Sequence, residues 1–113
     1  MSIYILTPDL FIKQKSQQLI YFVNQLLKQA IPFKEVHIIT WDILEEWAKL
    51  NEKTKDPMED YERVFWYLFY IIQFEAECDL INNKHLRLRI NKCCNYLMDP
   101  TLTIPSGCVG VRP

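Results

Sequence analysis

Glycine is almost missing from this 113-residue chain: only Gly107 and Gly110 occur, both near the C-terminus. A phosphate-cradling loop needs glycines for close backbone approach, so none is expected upstream of them. Cys-x-x-Cys pairs are missing too, although Cys78, Cys93, Cys94 and Cys108 are present. Structural zinc sites pair ligands across gaps of about two to four residues, and these cysteines with His85 do not reproduce that spacing. Cys93 and Cys94 fall in register with Leu86, Ile90 and Leu97 and read as small core hydrophobes. No metal and no cofactor is expected.

A membrane-length apolar run is also lacking. Val64 to Ile72 is uncharged and rich in Phe, Tyr and Trp, but it is flanked by Glu59, Asp60, Glu62 and Arg63 on one side and by Gln73, Glu75, Glu77 and Asp79 on the other. A spanning helix needs about 20 predominantly apolar residues, so this run is a segment of core. The opening "MSIYILTPDL" has no basic n-region and only a short apolar run, unlike a signal or transit peptide. The expected location is cytoplasmic, with the thiols reduced.

Half of the residues are hydrophobic and 24% are charged, the balance of a globular chain, and the length fits one domain over residues 1–113. Thr7, Pro8 and Asp9 form a helix start, and Ile12, Leu19, Val23, Leu26, Leu27 and Ala30 continue one helical face to about Gln29. "IYIL" (3–6) and "VHII" (36–39) are short and β-branched, consistent with a minor two-stranded sheet; the rival reading is that "VHIIT" leads into the next helix. Thr40 is read as the cap of a second helix. Asp56 and Pro57, with Glu59 three residues after Asp56, predict the start of a third helix running to about Leu80. Leu86, Ile90, Cys93, Cys94 and Leu97 form the stripe of a fourth, stopped at Asp99–Pro100. The expected fold is mainly α: a small four-helix domain whose third, apolar helix is central.

Charge is unevenly distributed. Up to Thr40, four Lys face Asp9 and Glu35, for +2. From Trp41 to Leu80, eleven acids face Lys49, Lys53, Lys55 and Arg63, for −7. Beyond, Lys84, Arg87, Arg89, Lys92 and Arg112 face Asp99, for +4. The acidic block is threaded with aromatic residues, and such a surface steers and anchors a basic partner. The candidate binding residues are Trp41, Asp42, Glu45, Glu46, Trp47, Glu59, Tyr61 and Glu62.

The expectation is therefore a non-catalytic protein-binding module. Its most concrete form is a small immunity protein that neutralises a basic, nuclease-type toxin in a bacterial cell. One alternative is a structural homodimer built on the aromatic helix through Tyr61, Trp66 or Tyr70. Another is a small enzyme using Cys108 or the Glu75/Asp79 carboxylates. The surroundings of Cys108 match no nucleophile signature, and Glu75 and Asp79 read as a solvated face. Nucleic-acid binding through His85, Arg87, Arg89 and Lys92 is disfavoured, because Arg87 and Arg89 point to different sides of a helix and the chain carries −1 overall.

Overall fold

The computed structural model describes residues 7–50, 58–75 and 82–108. They form four α-helices and one π-helical segment: α1 (Pro8–Leu27), α2 (Phe33–Ala48), α3 (Asp60–Tyr70), the π segment (Ile71–Glu75) and α4 (Lys84–Met98). The domain is mainly α, and no strand occurs among the described residues.

Helix α1 starts where its sequence indicates. The Thr7 hydroxyl accepts from the Leu10 amide at 3.2 Å, and Pro8 occupies the first helical position, where a missing N–H costs nothing. It ends two residues earlier than expected. Gln29 adopts φ 58°; its amide donates to the Leu26 carbonyl at 3.0 Å, and the Ala30 amide donates to Gln25 at 2.9 Å. These two bonds make a Schellman cap with a non-glycine residue in the left-handed position.

The strand expected at 36–39 is not formed; that segment lies inside α2. Val36, Thr40, Ile43 and Trp47, at helical spacing, are all buried, and a continuous helix is what carries that spacing past Thr40. Burial of this stripe outweighs the weak β preference of "VHII". Residues 3–6 lie outside the described residues. α1 and α2 pack as an antiparallel hairpin: Phe11, near the start of α1, meets Trp47, near the end of α2, at 5.5 Å between rings.

Helix α3 begins later than its sequence cues imply. Glu59 is its N-cap, without a side-chain cap bond, while Asp56 and Pro57 lie outside the described residues. Its body is the apolar rod expected: Val64 to Phe69 are all buried, and Phe65, Leu68 and Ile72 have no solvent exposure. α3 packs most extensively on α4 and also touches α1, while the π segment touches α2. A π turn is wider than an α turn. Here both Ile71 and Ile72 are buried, and the next residue, Gln73, donates to the hydroxyl of buried Thr40. That hydroxyl in turn donates to the His37 carbonyl at 2.7 Å.

Helix α4 buries its predicted stripe of Leu86, Ile90, Cys93, Cys94 and Leu97. Asn83 caps its start by accepting from Leu86 at 2.9 Å. It runs antiparallel to α1, with its first turn beside Asn24 and Lys28 and its last beside Lys13 and Gln17.

Candidate functional site

The candidate residues divide into groups with different local roles. Trp47 leaves the set: it is 1% exposed, and its ring packs edge-on to Trp66 at 5.1 Å and against Phe11. It is a core residue because it lies eleven positions after Val36 on the inward face of α2. Trp66, one of the aromatic residues considered for a dimer contact, is likewise buried at 1% exposure.

Glu46 is engaged within the chain, paired with Lys15 of α1 at 2.6 Å. Glu59, Tyr61 and Glu62 gather around Lys13 of α1, together with Asp9 and Ile12. Glu62 also accepts from the indole N–H of Trp66 at 3.4 Å. Positions 13 and 15 are two apart on a helix and so point to nearly opposite sides of α1. The acids of α3 and Glu46 therefore meet α1 on different sides.

Trp41, Asp42 and Glu45 remain, and α2 brings them together. With Ile38 they occupy positions i, i+3, i+4 and i+7, which is one continuous stripe of a helix. The stripe faces outward. Ile38 and Trp41 are each 51% exposed, and Asp42 and Glu45 are exposed beside them. Ile38 escaped the sequence reading because its segment was taken for a strand; the helical spacing to Trp41 and Glu45 was the signal available.

The thiol expectation has its own geometry. The tail turns at Gly107, φ 87°, where an added Cβ would lie 3.5 Å from the Tyr67 hydroxyl. That hydroxyl accepts from Arg89 Nε at 3.0 Å. Cys108 is half-buried and hydrogen-bonded to buried Cys93. Burial pushes the Cys108 thiol up; the Cys93 bond and the Arg89 guanidinium pull it down and do not win. Burial likewise holds the Cys93 thiol far above its ordinary value and pushes Cys94 up to about 12. An activated thiol requires the opposite shift. Glu75 closes the π segment, whereas Asp79 and Cys78 lie outside the described residues.

No described helix is long and apolar enough to cross a membrane. No protein-family model, curated protein or solved structure matches this chain.

Proposed function

We propose that this chain is a non-catalytic protein-binding module that docks a basic protein through the outward face of α2. The observation that carries the reading is the half-exposed Trp41, which shares one outward stripe of α2 with Ile38 and the Asp42 and Glu45 carboxylates. Two of the three tryptophans, Trp47 and Trp66, are 1% exposed, whereas Trp41 is left in water with no core to fill. Half-exposed aromatic residues anchor interfaces, and flanking carboxylates steer a cationic partner and reject an anionic one. The stripe has the spacing by which a helix presents side chains to a groove. In its concrete form the partner is a cationic toxin that acts on nucleic acid, occluded by this face in the cytoplasm.

The test is affinity capture from the native host, followed by binding measurements on the captured protein. The captured protein is expected to be basic. Trp41→Ala and the pair Asp42→Lys with Glu45→Lys should each weaken it by about tenfold or more, as for a central anchor. Glu59→Lys, away from the stripe, should leave binding intact. Equal binding by wild type and the α2 variants would remove the proposal.

A second reading rests on Tyr70 and Phe74. They are 38% and 70% exposed, with rings 5.0 Å apart. This apolar pair is the part of the aromatic segment available to a second copy. Sedimentation at micromolar concentration separates the two: a dimer abolished by Tyr70→Ser favours self-association, and a monomer favours a foreign partner.

A further inference from the structure

Between the end of α1 and the start of α4 lies an open cleft of about 420 Å³, lined by Lys28, Lys84 and Arg87 with Asn24, Asn91 and Leu88. Among the described residues no carboxylate lines it, and three cations share one space. Among the described residues, three buried side-chain atoms lack a hydrogen-bond partner: Ser16 Oγ, Trp47 Nε1 and Arg87 Nε. Ser16 and Trp47 are core residues, whereas Arg87 lines the cleft. A buried N–H left unpaired is unfavourable, so no bond on Nε ties the Arg87 guanidinium down at the cleft wall.

The helix ends reinforce the charge. The first turn of α4 contains no acid and begins Lys84–His85. The start of a helix already carries partial positive charge, so cations there work against local stability. Cations that break this rule beside a cleft are what a site for an anion requires.

We propose that this cleft binds a small phosphate-bearing molecule, of about the size of a nucleoside monophosphate. Three cations spread over two helices fit a tetrahedral phosphate, which offers oxygens in several directions; a planar carboxylate is satisfied by one guanidinium fork. The carboxamides of Asn24 and Asn91 can both donate and accept, as hydroxyls or base edges require. The volume lies within the usual range for small-molecule sites. A polymeric nucleic acid fits less well. Arg89 is turned to Tyr67, Lys92 lines a separate hollow with Thr103 and Pro105, and the chain carries −1 overall.

The test is a titration of the full chain at fixed ionic strength, read by backbone amide shifts, with adenosine monophosphate, pyrophosphate, adenosine and a duplex DNA. The two phosphate compounds are expected to give saturable shifts at residues 24–28 and 84–88, and adenosine none. Arg87→Gln should weaken binding by about tenfold or more, and Arg87→Lys, which keeps the charge but loses the guanidinium fork, nearly as much. Exposed Lys84→Gln and Lys28→Gln carry the test should Arg87 variants fail to fold, and each should weaken binding severalfold. Lys92→Gln should change nothing. The proposal is overturned by any of three results: no saturation with either phosphate compound below about 10 mM, a millimolar affinity being already weak; equal shifts with adenosine; or binding of duplex DNA alone.

Discussion

The first turn of α3 carries Asp60 and Glu62 behind a Glu59 cap, whereas the first turn of α4 carries Lys84 and His85 and no acid. Carboxylates at a helix start complement the dipole, so the α3 acids have a local structural reason to be there. The α4 cations have none. The two helices also differ inside. Apart from Tyr67, α3 buries Val64, Phe65, Trp66, Leu68 and Phe69, whose side chains do not titrate; α4 buries Cys93 and Cys94, which do. The contrast separates charges that serve the fold from charges left over for a ligand or partner. On that criterion Glu59 and Glu62 belong to the fold, Asp42 and Glu45 to the proposed docking surface, and Lys84 and Arg87 to the proposed anion cleft.

The largest effect that sharpens the contrast is alkaline loss of stability arising in α4. Burial raises the Cys94 thiol from 9.0 to about 12. Below about pH 9 the thiol is neutral whether folded or unfolded, and its contribution is fully present. Above that, the unfolded chain releases the proton and the folded chain holds it until about 12, so stability falls as pH rises through this window. At pH 11 the loss from this group is roughly 3 kcal/mol. Urea denaturation between pH 8 and 11 should show the fall, and Cys94→Ala should reduce it, the buried Cys93 thiol supplying the remainder. An unchanged slope in that variant would remove the thiol from the explanation.

Next come the helix ends. Asp60→Lys should lower stability by about 1 kcal/mol and Lys84→Glu should raise it by a similar amount, both shrinking in high salt. Denaturation at low and high ionic strength checks this. If Lys84→Glu destabilises as much as Asp60→Lys, the two ends follow the same rule and the comparison breaks. The smallest effect lies just past the end of α1. Gln29 holds a left-handed conformation that glycine adopts without strain. Gln29→Gly should therefore stabilise the chain by about 0.5–1 kcal/mol, measured by the same denaturation.

Much of the fold was legible because local cues and burial agree. The Thr7–Pro8 start and the Leu86–Leu97 stripe each satisfy a local rule and an inward face at once. The misread segment is where the two diverge: "VHII" is β-branched, yet Val36 is in helical phase with Thr40, Ile43 and Trp47, and burial of that phase decides. That single error hid Ile38 from the candidate site. The acidic block was visible as a count of charges, but a count does not say which acids face α1. Only packing separates Glu46, held by Lys15, from Glu45, exposed on the outward stripe of α2. Trp47 illustrates the same gap, since composition alone cannot distinguish an indole that anchors a partner from one that fills a core.

The docking face is tested most directly by hydroxyl-radical footprinting of the chain alone and bound to its captured partner, comparing Trp41 with Tyr21 and Met98, which are 59% and 60% exposed on other helices. Oxidation of Trp41 should drop sharply on binding while Tyr21 and Met98 keep their reactivity. Protection of Tyr21 or Met98 with Trp41 unchanged would contradict the account and move the interface off α2.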